Sequence, residues 1–584
     1  MVPPDLAMVP PETLGWFVVP LAGLWCPWRA CGAPARPLVP LGPGWTVVPL
    51  TSLKCSRQAR GALYKPKVHV RGWWCPCEVD GAPGSEFLKD LIAAGHLAPE
   101  KAYLACDPSK MKRARKAAMM EARKLDKGRL KEENRIIGMG YDGRKDSHTR
   151  TLVADDSGKV RMTMVKEEHV TVSEEPSGRY LSHFVPEEVV PPEKPAQKIA
   201  QALRDLLEEY DSLDSLKLLK GDSTNLNTGW RRGIHAHLER LLERRLYWGI
   251  CNIHTNELPL RHLISAVDGP TSSDKGFMGP VCSQLGGVCD MEYDPSFKAM
   301  PGGEDLIPIP EEVLTEMSND QRNCYQLVMA VKSGHLPERL RQMKCGPLCH
   351  ARWLTTGQRI LFLRTRKHNV TGKDLKVLKI LVNFCLQVYF KIYFDIKVKH
   401  SIQDAPYHIL TQLKVVKTQP KRVREAVMPY IRTGAWYAHS ECLLLSLLAS
   451  EHREDREFAI DQIVRLRGDS EFGDVSVRPR ITPKLNPSAS SLTNLISWQP
   501  DEVYEPVFTC HMPTSDIKIF ADSPYRPPKF CSHTQSTERC VKLVTEAAAE
   551  VCGQEARDGY IRARVRHREA MSAFDSKKDI LATF

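Results

Sequence analysis

Nowhere in its 584 residues does the chain carry an uninterrupted apolar run of bilayer length. The longest candidate lies around 380–398. Lys391 and Asp395 interrupt it, so it reads as too short and too charged to span a membrane. A signal peptide wants a basic start and an unbroken apolar stretch; here Asp5 and Glu12 come first and Pro20 breaks the run. A disulfide framework is also missing. The 18 cysteines are scattered through a large chain, which points to single buried thiols and a reducing compartment, cytosol or nucleus. Trp73-Trp74-Cys75-Pro76-Cys77 has the form of a metal corner. No second Cys/His pair follows at finger spacing and Cys106 stands alone, so zinc is not expected. There is no internal repeat of solenoid length.

What is present is enough chain for two to four domains, with the apolar and charged content of a folded protein. The net charge is +12 and unevenly spread. Residues 110–131 hold ten Lys or Arg against two acids, a local balance of +8, with Lys112, Arg113, Arg115 and Lys116 at its start. Such a run suits a phosphate backbone; it suits equally a solvated basic helix. The first 62 residues are rich in Pro, Trp and Val, with "VVPL" at 18–21 and 47–50, and read as low-complexity sequence.

From residue 136 the pattern turns to short strands. Residues 136–142 form an apolar run ending in Asp142; 161–172 and 179–185 read as a second and third strand. Prolines at 186, 191, 192 and 195 mark a loop, and Ile199, Leu203, Leu206 and Tyr210 then recur at helical spacing. Leu216 to Asp222 is another strand ending in an acid. Thr228 is placed to cap a helix lined by Trp230, Ile234, Leu238 and Leu241, and Tyr247 to Cys251 makes a fifth strand. The order β-β-β-α-β-α-β predicts a meander followed by parallel crossovers. Residues 271–500 read as mostly helical, with amphipathic stretches at 310–332, 374–395 and 440–467. The segment 533–568 reads as one long helix with Val541, Val544, Ala548 and Val551 on its apolar face.

Phosphodiester cleavage by two metal ions requires carboxylates that converge on hard cations. Asp142 and Asp222 each sit just past a short apolar strand and before turn-forming residues. Taken singly, each is a turn residue or a cap. Taken together, they fit an RNase H-like sheet, whose first and fourth strands are neighbours.

"GDSTNLNTGW" at 221–230, "CNIHTNELPLRHL" from 251, "HARW" at 350–353, "SHTQSTERCVKLV" at 532–544 and "YDGRKD" at 141–146 together resemble the hAT superfamily of DNA transposases. The stretch 136–575 is more similar still to transposon-derived proteins of animal genomes that share the NELPLRHL, RW and HTQ-x-x-ERCVKLVTEA blocks. The resemblance implies an α/β RNase H-like core with a mixed five-stranded sheet, interrupted by a large all-α insertion and closed by a C-terminal helix. It implies that Asp142, Asp222 and Glu538 hold Mg²⁺ or Mn²⁺ for hydrolysis and strand transfer on DNA. It also implies that the protein is nuclear and forms homo-oligomers. On this reading the chain divides into 1–62, a small basic region 63–135, the first part of the core 136–270, the helical insertion 271–500 and a closing segment 501–584. The alternative is a domesticated, inactive nuclear factor that binds DNA or protein.

The chain departs from the hAT pattern in three ways. It lacks a BED-type finger, has Thr-Asn-Glu after His254, and has no Phe-Ser after Glu538-Arg539. Glu546 is therefore a competing third acid. Cys251 and His254 are read as a structural pair packing strand five against the next helix; His254 and Glu257 are secondary candidates for lining the site. Trp353 is either a base-stacking platform, as the resemblance implies, or a core tryptophan. Arg539 is a candidate phosphate contact. Arg562, Arg564, Arg566 and Arg568 are either phosphate contacts or charge compatible with the helix dipole.

Overall fold

The computed structural model describes residues 108–133, 135–154, 157–186, 194–272, 276–300, 302, 305–346, 348, 353–473, 480, 483–499 and 503–570. The Pro-rich N-terminus, the Cys75/Cys77 corner, residues 350–352 of the Arg-Trp motif and the side chains of Lys112 and Arg568 lie outside them. The chain divides into two compact units, Met1–Ala118 and Met119–Phe584. Of the first, Pro108–Ala118 is described; it is helical and belongs to helix α1, Pro108–Glu133.

The second unit holds a five-stranded mixed sheet in the order β3-β2-β1-β4-β5. Strands β1 (Gly138–Ala154), β2 (Val160–Glu175) and β3 (Tyr180–Phe184) form an antiparallel meander. Strands β4 (Leu218–Gly221) and β5 (Tyr247–Ile250) join it in parallel, β4 directly beside β1. The order and directions are those the strand pattern predicts. Side chains alternate across the sheet. Met139, Tyr141, Val170, Val172 and Leu219 point to one face, where they bury against α2 (Pro195–Glu209) and α3 (Ile234–Leu241). The other face meets the C-terminal helix and the helical insertion.

Four local expectations are corrected. β1 continues well beyond residue 142, to Ala154, paired with β2, whose Val160–Glu175 includes the whole of the expected 161–172. The polar run 143–151 hides this ribbon from a hydrophobicity pattern, because much of it faces solvent instead of a core. Thr228 does not cap α3: it closes a single turn, Asn225–Thr228, and Gly233 is the N-cap. Trp230 lies in the intervening turn, under the Arg231 guanidinium at 4.1 Å. The C-terminal segment is two helices, Gln535–Ala548 and Gln554–Ala570. Gly553 adopts φ +87°, a left-handed turn that a side chain would strain, and Val551 falls in the break. The second helix then packs with the first around Tyr180, Cys540, Val544 and Ile561.

The insertion is helical as expected, and its stretches are cut by local signals. Residues 310–332 split where Ser318 and Gln321 form a reciprocal capping box. The 440–467 stretch splits into Ser440–Leu448 and Arg453–Arg467. The apolar run near 380–398 belongs to a helix of 28 residues, Gly372–Lys399, longer than the sequence suggested. It is long and apolar enough by composition to cross a membrane, yet most of it is buried in the protein interior. The insertion shares one core with β4 and β5: Leu218, Trp248 and Ile250 pack in the same cluster as Leu381, Phe394 and Leu443. All eleven described cysteines are free thiols and seven are buried.

The C-terminal helix lies directly on β1 because Gly140 has no side chain. A Cβ there would sit 2.7 Å from Thr537 Oγ1, 3.1 Å from Glu175 Oε1 and 3.2 Å from Ser173 Oγ. Gly140→Ala is therefore expected to lift the helix and cost about 1–3 kcal/mol. Thr537→Ala in the same chain should restore part of the loss; chemical denaturation of both variants checks it, and a Gly140→Ala chain of unchanged midpoint would contradict the close packing.

Candidate functional site

The parallel register decides where the two aspartates lie. Gly138, Met139 and Gly140 pair with Leu218, Leu219 and Lys220, a constant offset of 80 residues (220 − 140 = 80). Asp142 and Asp222 are separated by the same 80 (222 − 142 = 80), so Asp142, inside β1, stands level with Asp222, the residue just past the end of β4. Neighbouring strands run about 4.8 Å apart, and residues in register share a face. The next pair of strands extends the row. Gly221 pairs with Ile250, which sets Cys251, just past the end of β5, level with Asp222.

The face is fixed by the residues just below. Gly140 abuts Thr537, and Ser173 Oγ hydrogen-bonds Thr537 Oγ1 at 3.0 Å. Lys220 Nζ donates to Ser536 Oγ at 3.3 Å. Asp142, two residues further along β1, shares the side covered by the helix Gln535–Ala548, whereas Asp222 follows the end of β4 and turns to Asn227. Glu538 stands in the first turn of that helix, beside Thr537. Its carboxylate raises the pKa of Cys251, after burial as the main cause. Thr534 Oγ1 lies 3.6 Å from Cys251 Sγ, and Glu538 N donates to Thr534 O at 2.9 Å. Asp142, Asp222 and Cys251 thus stand level with one another along the sheet, with Cys251 touching Thr534 just before the helix that carries Glu538.

Asp142, Asp222 and Glu538 are all partly exposed. Tyr141, packed against His235 on the other face of the sheet, still senses the two aspartates: burial, then Asp222, then Asp142, push its hydroxyl well above its ordinary pKa. Asp222 Oδ1 accepts from Thr224 N at 2.9 Å and from Asn227 Nδ2 at 2.6 Å. The Asn in the turn after the second acid thus holds that carboxylate in place. Among the described residues, no group of three or more His, Cys, Asp or Glu side chains gathers tightly enough to hold a metal ion.

Glu546 is occupied elsewhere. It pairs with Arg564 at 2.5 Å and with Lys542 at 3.8 Å. It is also eight residues, about 12 Å, along the helix from Glu538. Arg562 is no phosphate contact: it is buried, paired with Asp558 and Asp126, and stacked 5.3 Å from the Tyr180 ring. Arg564 is engaged by Glu546, while Arg566 is partly exposed and Arg539 is exposed. Arg113 and Lys116 are exposed on α1, and Arg115 is partly so.

Trp353 is corrected as a base-stacking platform. Only 3% of it is exposed, its ring packs edge-on to Phe277 at 5.9 Å, and its backbone N–H donates to Glu257 Oε1 at 3.1 Å. The alternative reading, a core tryptophan, describes its packing. Glu257 is accordingly a buried link between α4 (Asn252–Val267) and the insertion. His254 lies in the first turn of α4; burial lowers its pKa and Asp222 opposes that shift, so it borders the second aspartate. Cys251, the N-cap of α4, packs against Thr534 as well as its own helix.

A buried ion pair under the site escapes a reading of the sequence. Lys220 and Glu175 are fully buried and bonded to each other, and Ser536 donates to Glu175. The available signal was a lysine inside a four-residue strand that is otherwise apolar. Further cations surround His533: burial, then Lys397, Lys220, His400 and Arg539, hold its pKa well below the ordinary value. His533 Nε2 contacts His400 Nδ1 at 3.1 Å.

No family model matches the chain, and no curated protein sequence matches it. Among the solved structures similar to it is the Drosophila P element transposase strand transfer complex, at 9% identity and a TM-score of 0.23, covering 74% of this chain and 77% of that one. At that score the fold is argued from the sheet itself.

Proposed function

We propose that the unit is an RNase H-like nuclease core of the transposase type, acting on DNA phosphodiesters. The observation that carries this is the level placement of Asp142 on β1 and Asp222 just past β4, its parallel neighbour, near the start of the helix that carries Glu538. Asp142, Asp222 and Glu538 supply only hard oxygen donors, the kind that Mg²⁺ or Mn²⁺ takes, and holding an ion would require them to draw closer than they stand. When bound, such ions supply activation of the attacking oxygen and neutralisation of charge on the leaving one. The chain's own part is positional. Asn227 and the Thr224 amide orient Asp222, and exposed Arg539, next to Glu538, is the cation placed to meet a phosphate there. Hydrolysis of a transposon end and its joining to target DNA, in a nuclear homo-oligomer, is the finer form of this reading.

The third acid is Glu538 on this proposal. Glu538→Gln should remove metal-dependent nicking of duplex DNA, while Glu546→Ala, which only releases Arg564, should leave the rate unchanged. The reverse pattern would move the assignment to Glu546. The basic segment is proposed to bind the phosphate backbone. Replacing Lys112, Arg113, Arg115 and Lys116 with alanine should weaken DNA binding and flatten its salt dependence, by about 0.9 in the log–log slope for each phosphate no longer neutralised. An unchanged slope would assign those charges to solvent.

A second reading is favoured by one observation: no tight group of three metal ligands is present among the described residues. On that reading the protein is a domesticated, inactive nuclear factor that keeps DNA or protein binding. Sequence-independent DNA binding without nicking in either Mg²⁺ or Mn²⁺ would select it.

A further inference from the structure

Two cysteines far apart in sequence are brought together outside the acidic site. Cys289 lies in the short 3-10 turn Val288–Asp290, and Cys345 follows the turn Glu338–Arg341 by a few residues. They are 56 residues apart, yet Cys345 N donates to Cys289 Sγ at 3.2 Å and the two thiols hydrogen-bond each other. Both are partly exposed, unlike the seven buried thiols. The two loops are stapled by one side chain. Arg359 donates to Leu285 O at 2.7 Å and Gly286 O at 3.1 Å on the Cys289 side, and to Gly346 O at 2.7 Å on the Cys345 side. Arg366 closes the same corner by donating to Arg341 O at 2.6 Å.

We propose that Cys289 and Cys345 form a redox-sensitive dithiol, closed to an intramolecular disulfide by a low-molecular-weight disulfide such as oxidised glutathione. Cys289 is the attacking thiol. The hydrogen bond from Cys345 and the charges of Arg359 and Arg366 favour its thiolate over the opposing effect of burial, and its pKa falls to about 6. The Cys289 thiolate attacks one sulfur of the oxidant and displaces one small thiolate, leaving a mixed disulfide. Cys345 then attacks Cys289 Sγ, its proton passing to the second small thiolate as that departs. The protein loses two hydrogens and one molecule of oxidant becomes two of thiol. In a reducing compartment the pair stays open; oxidation would tie the Val288–Asp290 turn to the loop after Glu338–Arg341.

The test uses the full chain. After exposure to oxidised glutathione, a protease digest resolved without reduction should contain a cross-linked peptide joining Cys289 to Cys345. In Cys345→Ser, the oxidation should stop at a mixed disulfide of glutathione on Cys289. Alkylation of Cys289 by iodoacetamide should reach half its maximal rate near pH 6, whereas an ordinary cysteine does so about two units higher. Three results would overturn the proposal. One is a folded chain, checked by circular dichroism, that resists cross-linking. Another is Cys289 alkylation with an ordinary pH profile. The third is stoichiometric zinc in the purified protein that is released by Cys289→Ser, which would assign the pair to a metal instead.

Discussion

Under the proposed function, Asp142→Asn and Asp222→Asn should each lower metal-dependent nicking of duplex DNA by roughly 10²–10³-fold, the loss expected when several kcal/mol of charge stabilisation at the reacting phosphate disappears. The substitutions isolate charge from shape. An asparagine at 222 keeps a carbonyl oxygen to accept from Thr224 N and Asn227, so the turn after β4 survives. DNA affinity should stay the same or rise, because a negative charge next to phosphate has gone. The measurement is a nicking assay with Mg²⁺ and Mn²⁺ beside a binding titration at fixed salt. A variant that nicks at the wild-type rate would remove its aspartate from the site. Loss of nicking and binding together would point to misfolding, which the retained turn argues against.

The largest stability effect is expected beneath the site. Glu175→Gln leaves the Lys220 ammonium fully buried without its counter-charge, and breaking such a pair costs about 3–5 kcal/mol. The double variant Lys220→Met with Glu175→Leu should recover most of that, since a buried pair replaced whole by apolar groups is often neutral. The pair sits two residues below Asp222 and is held by Ser536 of the C-terminal helix. Its removal should loosen the packing of sheet on helix, on which the placement of Glu538 depends. Urea denaturation of the single and double variants checks this, and a single variant as stable as the parent would show that water or a proton already relieves the buried charge.

The element order was legible from the chain because apolar runs of strand length alternate with helical periodicity between residues 136 and 251. Asp142 and Asp222 were found by position alone, as acids that end apolar strands. The far half of β1 is not legible because it has no core face to impose a pattern, as exposed Leu152 and Val153 show. The final helix was read as continuous because Gly553 interrupts by backbone conformation and not by polarity.

The sequence by itself determined which residues are apolar, where strands and helices alternate, and which acids follow short apolar runs, because these are local properties. Only the tertiary structure decided how distant segments meet. It set Asp142 level with Asp222 through an inter-strand register, buried Trp353 against Phe277, and occupied Glu546 with Arg564. It also joined Lys220 to Glu175 and Cys289 to Cys345. Each of these pairings closes a loop of many residues, and which loops close is set by packing over the whole fold, not by any short stretch of sequence.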